Sequence, residues 1–409
     1  MLLALAWRNI WRQPRRTWLS AAAVASTCAI VIFLPAMQLG SYRAMVNGSI
    51  GILDGAAQIQ RQAYLAEPVM AASFELNPAL QRELKLSLPH AILARRANGF
   101  ALLSSGQRSF GAQLTGVEAD KEPLFSSLPA NIRQGRYLSP DASAATDEIV
   151  LGEGLAKNLR LQPGDRLTLL GAGREGALAV DSLRVVGIFA SGLKPLDRQL
   201  AQMPLARFEQ TFSMEGEIHA LVVAGGEIEL LPAYPAALRR YLASRDLALR
   251  DWQEMQPALF KAIKLDISSA MAMYLVLILV IVLSLLNTAL MTVMERTREF
   301  GMMMALGVGP GLLGRLVWLE SLLVMSLGIV AGLAIGAVVS YYYQQTGIRF
   351  EEAEAVFKQF GLDATLYPSL TWATLLLGPG CIALCLALAG LYPVFRIRRL
   401  EIVSAMRAV

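Results

Sequence analysis

Few side chains in this sequence could do chemistry, and none is arranged as a catalytic group. The two histidines, His90 and His219, stand far apart in unrelated contexts, which favours a surface and a strand histidine over a metal ligand or general base. Cys381 and Cys385 lie one helical turn apart, but no histidine or carboxylate accompanies them, so packing is the favoured interpretation. The sequence predicts no catalytic residue, no metal site and no bound cofactor.

Nucleotide binding by a phosphate loop is also unsupported. The sequence has no G-x-x-x-x-G-K-[ST] motif and no Gly-Lys dipeptide. No G-x-S-x-G elbow is present either. We therefore expect this chain not to be an enzyme, and any ATP hydrolysis to occur in a partner.

The composition indicates a membrane protein. Hydrophobic residues make up 55% of the chain and charged residues 17%, whereas soluble domains carry about 25% charged residues. The net charge of +5 is small for 409 residues and does not resemble the clustered charge of a nucleic-acid binder. Apolar stretches long enough to span a bilayer occupy residues 18–40, 267–293, 316–341 and 370–394.

The first stretch follows arginines, as a secretory signal would. It is too long for a signal core, and no convincing small-residue cleavage site follows it, so we read it as an uncleaved span. Residues 1–17, 294–315 and 395–409 are rich in arginine and fall on one side of four spans, which the positive-inside rule makes cytoplasmic. Residues 41–266 and 342–369 then face outward.

The long outward segment has the pattern of a folded domain. Runs rich in Val, Ile and Leu predict strands at residues 148–151, 166–170, 183–189 and 218–223. A short helix is expected at residues 154–159. The predicted fold is an α-helical membrane protein with four transmembrane helices and a large extracytoplasmic mixed α/β domain between the first and second.

The connection at residues 294–315 carries the most information. The second span continues through the charged residues Glu295, Arg296, Arg298 and Glu299, and glycines from Gly301 to Gly311 interrupt a short apolar piece. The ordinary interpretation is a charged loop whose arginines satisfy the positive-inside rule. The alternative interpretation is a short helix that transmits the movement of a partner protein. The residues alone do not decide between these two interpretations.

This connection resembles the signature of the FtsX-like permeases, which include the macrolide exporter, the lipoprotein-releasing permeases and the cell-division permease. The resemblance extends over nearly the whole chain, and the outer-domain segments are most similar to those of the lipoprotein-releasing permeases. It is carried by Glu295-Arg-Thr-Arg-Glu-Phe-Gly301, Ala305-Leu-Gly307, Leu319-Glu-Ser-Leu-Leu323, Ala6 to Thr17, Ile149 to Ala156, Gly164-Asp165, Val185 to Phe189, Gly390 to Arg396 and Glu401 to Arg407.

The resemblance implies a permease subunit of an ABC transporter in the bacterial inner membrane, with both termini cytoplasmic and an amphipathic helix at residues 1–17. In that family two permeases, identical or paralogous, pair across the membrane, and two copies of a separate ATPase use ATP and Mg. Each permease contacts its ATPase through the helix between spans two and three. Carried over here, the ATPase-coupling residues are Glu295, Arg298, Glu299, Gly301, Ala305, Leu306 and Gly307.

Three further features concern the membrane. Gly328, Gly332 and Gly336 form a small-residue stripe that would let a neighbouring helix approach closely. Glu320, near the start of span three, is expected to pair with Arg315 or a tail arginine. The resemblance also suggests a cavity for amphiphilic cargo near the outer ends of spans one and two, with the candidate residues Met37, Tyr42, Met271 and Tyr274. Anchoring of these side chains at the membrane interface is the alternative interpretation.

Three functions remain open within the family. The first is extraction of lipoproteins or other lipidic cargo, with membrane lipids and a periplasmic carrier as partners, although residues 171–182 look short for a carrier-docking loop. The second is a transmitter that regulates a periplasmic hydrolase or senses an antimicrobial. The third is export of small amphiphiles with an adaptor protein.

Overall fold

The computed structural model describes residues 2–141, 145–225, 234–351 and 365–398. The chain divides into two compact units. The helical unit comprises Met1–Ser41, Ile263–Arg349 and Thr365–Val409. The sheet unit comprises Tyr42–Ala262 and Phe350–Ala364.

The helices of the described residues follow one another along the chain. They are α1 (Leu2–Ile10), α2 (Pro14–Ile50), α3 (Pro78–Ser87), α4 (Glu153–Leu159), α5 (Lys194–Asp197), α6 (Leu205–Phe212), α7 (Ala236–Ala243), α8 (Trp252–Met255), α9 (Pro257–Glu295), α10 (Thr297–Ala305), α11 (Pro310–Thr346), α12 (Trp372–Ala389) and α13 (Leu391–Arg398).

Four stretches of helix are long and apolar enough to cross a membrane. They are α2, α9, α11 and the stretch Trp372–Ile397. The first three contain the predicted spans, and the fourth begins two residues after the predicted start of span four at residue 370. Helices α2, α9 and α11 extend beyond the predicted spans at both ends. Hydropathy marks only the part of a helix that suits lipid, whereas the helix continues for as long as its backbone hydrogen bonds do. The expected N-terminal helix at residues 1–17 is α1 followed by the first turn of α2.

The core of the helical unit joins α2, α11 and α12. Its buried side chains are Val24, Cys28, Val31, Ile32, Met325, Ile382 and Leu386. Helix α12 begins with a capping box, in which the Thr371 hydroxyl accepts from the Thr374 amide and the Thr374 hydroxyl accepts from the Thr371 amide.

The sheet unit is built on one ten-stranded sheet. The described strands are β1 (Ala57–Arg61), β2 (Phe74–Glu75), β3 (Ile92–Ser105), β4 (Arg108–Val117), β5 (Ile132–Gly135), β6 (Glu148–Gly152), β7 (Arg166–Ala172), β8 (Leu178–Phe189), β9 (Leu200–Pro204), β10 (Glu217–Ile218), β11 (Ala220–Ala224) and β12 (Leu247–Asp251), with β13 (Ile348–Arg349) and β14 (Thr365–Leu366) in the helical unit.

Part of the large sheet closes on itself. The strand order is β12-β1-β11-β3-β4-β9-β6-β8-β5, and β7 pairs with both β3 and β8. The strands β3, β4, β9, β6, β8 and β7 therefore form a closed ring, in which β4–β9 and β6–β8 are parallel and the other pairs antiparallel. An apolar core built from these strands with α4 and α6 includes Leu103, Leu114, Leu169 and Phe208.

A second core covers the other end of the sheet. Side chains of β1, β11 and β12 pack there with α3 and α7, and Ile59, Leu84 and Leu238 are fully buried. Each predicted strand lies where a strand is found, except that residues 218–223 divide at His219 into β10 and β11. The side chain of His219 is fully buried at this break.

Candidate coupling site

Helix α10 is a short element set between two long helices. Its start is marked by Arg296, whose φ of −101° and ψ of 11° are not helical. Its end is marked by Gly307, whose φ of +94° is a backbone conformation that residues other than glycine rarely adopt. Pro310 then begins α11 directly after the extended residue Gly309. The structure thus has a separate helix at 297–305, shorter than the predicted element at 294–315.

One face of α10 is buried against the ends of the long helices. Phe300 is fully buried, and Gly301 and Met304 are also buried. They pack into a small apolar core whose other buried members are Val293, Leu313, Val317 and Ile397. The burial of Phe300 alone is worth about 2 kcal/mol, so the position of α10 is fixed by packing.

Arg296 is the centre of the polar contacts around α10. Its Nε lies 3.0 Å from Glu299 Oε2, and its Nη1 lies 3.0 Å from Glu320 Oε2. The guanidinium carbon also lies 5.3 Å from the centre of the Phe300 ring. On the other side of Glu320, the Asn9 amide donates to Oε1 at 2.6 Å. The expectation that Glu320 pairs with Arg315 or a tail arginine is therefore wrong for the described residues.

Arg16 makes a second connection at this end of the helical unit. Its Nη1 lies 3.0 Å from Glu295 Oε2 at the end of α9. Its Nη2 donates to the Thr288 carbonyl and the Thr292 hydroxyl. The beginning of α2 is thereby bound to the last turns of α9. Sequence reasoning did not predict the pairing of Arg296 with Glu320 or of Arg16 with Glu295, because these contacts join residues that are far apart in the sequence.

The opposite face of α10 is open. Met302 is 51% exposed and Leu306 is 86% exposed. Arg298, Ala305 and Gly307 are exposed as well. Among the predicted coupling residues, Gly301 is buried, Glu295 and Glu299 form ion pairs, and the rest lie on this surface. We call the exposed side chains of Arg298, Met302, Ala305 and Leu306 the open face of α10.

The glycine stripe of α11 lies against α2. A Cβ atom built on Gly328 would be 2.6 Å from Val24 Cβ, and one on Gly332 would be 2.5 Å from Cys28 Cβ. A Cβ on Gly336 would be 2.9 Å from Ile32 Cδ1. All three glycines are buried. Their lack of side chains therefore allows the close approach of the two helices.

The four candidate cavity residues do not share one environment. The Tyr274 hydroxyl donates to Gln38 Oε1 at 3.2 Å, and Met37 is half-buried. Met271 is 65% exposed. Tyr42 is buried and belongs to the sheet unit. The two cavities described below are lined by other residues.

The two histidines lie in different environments, one on the surface and the other at the break between β10 and β11. His90 is exposed. The Nδ1 atom of His219 accepts from the Asn98 amide at 3.1 Å, Nε2 lies 3.1 Å from the Met70 carbonyl, and the ring stacks on Tyr64 at 5.3 Å. Burial lowers the pKa of His219 to about 4, so it is neutral at physiological pH. Among the described residues no group of three His, Cys, Asp or Glu side chains could hold a metal ion.

Two family models match this chain. The model of the FtsX-like permease C-terminal matches residues 271–402, and the MacB-like periplasmic core domain matches residues 17–238. The second match alone covers more than half of the chain. The chain belongs to this permease family. The predicted fold, four apolar helices with a large α/β domain after the first, is confirmed. The tail motif Glu401 to Arg407 lies outside the described residues.

The relatives of this permease are named as lipoprotein-releasing proteins and as an export protein. It is 21% identical over 272 residues to the lipoprotein-releasing system transmembrane protein LolC of Neisseria meningitidis, covering 63% of this chain and 65% of that protein. It is 24% identical to LolC of Xylella fastidiosa, covering 75% of each. It is 26% identical to the pyoverdine export ATP-binding/permease protein PvdT of Pseudomonas aeruginosa, covering 82% of this chain and 50% of that protein.

Two solved structures are similar in part. The extracellular domain of the noncanonic ABC-type transporter YknZ from Gram-positive bacteria has a TM-score of 0.33 and 13% identity, covering 48% of this chain and 99% of that one. The periplasmic region of MacB from Actinobacillus actinomycetemcomitans has a TM-score of 0.37 and 16% identity, covering 51% and 94%. By its family, the permease is a multi-pass inner-membrane protein of ABC transporters of the LolC and MacB type.

Proposed function

We propose that this permease couples ATP hydrolysis in a separate ATPase to movement of its outer domain, and that it thereby extracts lipoproteins or other lipidic cargo from the inner membrane. The observation that supports the proposal is α10, a short helix packed on one face and open on the other. Two copies of the ATPase and a second permease, identical or paralogous, complete the transporter. The ATP and Mg belong to the ATPase.

The contacts of α10 suit it to pass on a push. Its inner face is fixed by Phe300 and Met304, so a force on the helix displaces α9 and α11 rather than α10 alone. Arg296 holds Glu299 of α10 and Glu320 of α11 at 3.0 Å each, across the break between α9 and α10. A defined joint of this kind turns contact at the open face into movement of the long helices.

The open face has the chemistry of a docking surface. Leu306 and Met302 offer apolar contact, and Arg298 offers a charge at the edge. The apolar surface of an exposed leucine beside a flexible methionine is in unfavourable contact with water unless a partner covers it. In the proposed orientation this face is cytoplasmic, because the arginines of the N-terminal segment lie on the same side.

The proposed cargo follows the names of the LolC relatives. Delivery to a soluble carrier by this subunit has less support. Strands β7 and β8 are joined by only five residues, and the Gly173 amide donates to the Ala177 carbonyl at 2.7 Å, which closes the turn tightly. A second permease is the better candidate for any docking of a periplasmic carrier.

Two other functions are the alternatives. The similarity to a pyoverdine export protein favours export of small amphiphiles with an adaptor protein. A transmitter that regulates a periplasmic hydrolase would use the same coupling site without moving cargo. The three functions share α10 and differ in what the outer domain contacts.

The proposed coupling through α10 can be tested by introducing a charged side chain into its open face. Leu306→Glu should abolish or strongly reduce copurification of the ATPase and its stimulation, because the carboxylate would be buried unpaired in the interface. Leu86→Glu is the matched control, since Leu86 is 79% exposed in α3 of the sheet unit. Full ATPase recovery with Leu306→Glu would overturn the assignment of α10.

The cargo is tested with the unmodified protein. The chain is purified gently with its partners, and bound proteins and lipids are identified by mass spectrometry. An ATPase together with an acylated protein or lipid supports extraction. An ATPase with a hydrolase, or with an adaptor and a small amphiphile, supports the alternatives. Absence of any ATPase would contradict the transporter assignment.

A further inference from the structure

The helical unit contains a cavity beside the coupling site. Its volume is about 300 Å³, and its walls come from the N-terminal segment and from α9, α10, α11 and α12. Arg296, Glu299 and Glu320 of the coupling site line part of it. A second cavity of about 610 Å³ adjoins it and shares Gln13, Arg16, Ser20 and Thr288 with it. Both lie at the end of the unit that carries Glu295.

The first cavity has both polar and apolar walls. Asn9, Arg12 and Arg16 contribute amide and guanidinium groups, whereas Leu285, Val324 and Leu386 contribute only hydrocarbon. The carboxylates of Glu299 and Glu320 also line the cavity, and Arg296 pairs with both. Such a lining suits a molecule with a charged head and an apolar tail. A cavity for a fully polar ligand would not need the apolar walls.

Two arginines that line these cavities have capacity to bind an anion. Arg12 lines the first cavity and Arg15 the second, and both are exposed. Neither forms an ion pair with a carboxylate in the part of the chain that the structure describes, in contrast to Arg16 with Glu295. A guanidinium group binds phosphate with two parallel hydrogen bonds.

Tryptophans beside these arginines indicate a membrane interface. Trp7, Trp11 and Trp18 are 44%, 42% and 63% exposed. They meet edge to face, with ring centres 5.9 Å and 6.2 Å apart. Indole rings favour the headgroup level of a bilayer. The opening of the cavity therefore lies where lipid headgroups are available.

We propose that this cavity binds an anionic phospholipid of the adjacent leaflet, with the phosphate held by Arg12 and an acyl chain lying along the apolar wall. Arg15 contacts the headgroup from the second cavity. The bound lipid would fill the space between the N-terminal segment and α9, next to the Arg16–Glu295 ion pair. The site thus makes the packing of this end depend on lipid charge.

A free phosphate ion would share the headgroup chemistry, but it does not account for the apolar wall. Ala289 lines the cavity and allows the two sources to be separated. Phenylalanine at this position would occupy acyl space without changing any charge. It should weaken binding of a lipid and leave binding of a free phosphate ion unchanged.

The test measures binding of dioleoylphosphatidylglycerol to the purified full chain in detergent by native mass spectrometry, with dioleoylphosphatidylcholine as the zwitterionic comparison. Arg12→Gln should weaken binding of the anionic lipid about tenfold, which is about 1.4 kcal/mol. Arg8→Gln is the matched control, because Arg8 is exposed on α1 and lines neither cavity. It should change binding less than about twofold.

Each outcome decides between explanations. Loss in Arg12→Gln and Ala289→Phe, with retention in Arg8→Gln, supports the site, provided that both variants elute as the wild type does in size exclusion. Equal loss in Arg8→Gln would overturn it in favour of general surface charge. Equal binding of both lipids, or displacement by inorganic phosphate with no effect of Ala289→Phe, would overturn the lipid assignment.

Discussion

Replacing Gly332 with alanine should loosen the contact between α2 and α11, although alanine is the better helix former. A Cβ at this position would lie 2.5 Å from Cys28 Cβ and 2.6 Å from the Ala25 carbonyl oxygen. Carbon atoms in contact are about 3.5 to 4.0 Å apart. The helices must therefore separate locally by about 1 Å, which also weakens the contacts at Gly328 and Gly336.

The expected loss is the difference between two effects. Alanine gains about 1 kcal/mol over glycine within a helix. Overpacking of a well-packed contact costs about 1 to 3 kcal/mol, and the clash here involves backbone, which cannot rotate away. We expect a net loss of up to about 2 kcal/mol. At Gly380 no atom lies within 4 Å of the added Cβ, so Gly380→Ala should be neutral or stabilising.

Cys28 provides a direct reporter. Its side chain is fully buried between α2 and α11, whereas Cys381 is exposed and Cys385 half-buried. With both other cysteines replaced by serine, a thiol-reactive fluorophore reports the temperature at which Cys28 becomes accessible. Gly332→Ala should lower this temperature and Gly380→Ala should not. An equal or higher temperature for Gly332→Ala would show that the helices do not approach as closely as described.

Two further predictions concern stability of the sheet unit, and both are measured by thermal unfolding of the full chain. His219 has a pKa of about 4 when folded against an ordinary 6.5, so between these values the unfolded state binds a proton that the folded state does not. The free energy of unfolding should fall by up to about 3 kcal/mol as the pH falls through this window. The His219→Gln variant should show a weaker dependence of stability on pH. An unchanged dependence in this variant would refute the prediction. Arg96→Met should cost about 3 to 5 kcal/mol, because Glu122 would remain buried without its cation. The side chains of Arg96 and Glu122 are only 4% and 1% exposed. The double variant Arg96→Met with Glu122→Met should therefore recover much of the lost stability. A double variant no more stable than Arg96→Met alone would contradict this.

Much of the architecture could be predicted because lipid imposes a simple rule on sequence. A span needs a long apolar run, and arginine placement predicts its orientation without any tertiary contact. The ends of the helices could not be predicted in the same way. Helix α2 continues to Ile50 through polar residues, where hydropathy carries no signal.

The coupling site shows the limit more sharply. Its breaks were visible as Gly307 and the Gly309-Pro310 pair, because backbone conformation is encoded locally. Its charge pairing was not predictable in this way. Arg315 is near Glu320 in sequence but points from a different face of α11, because five residues turn a helix by about 140°. The partner Arg296 lies in the break before α10 instead. A contact such as Asn9 with Glu320, 311 residues apart, depends on the finished packing.

The strength of these contacts bears on how a coupling helix can work. Exposed ion pairs contribute only about 0 to 1 kcal/mol, so Arg16 with Glu295 could not fix a joint alone. The Arg296 and Glu320 side chains are 16% and 13% exposed, and Phe300 is fully buried beside them. Helix α10 is therefore ordered before any partner binds, and a preformed surface loses less entropy on docking. If an ATPase docks there as proposed, its binding energy is available to move α9 and α11 instead of being consumed in folding the site.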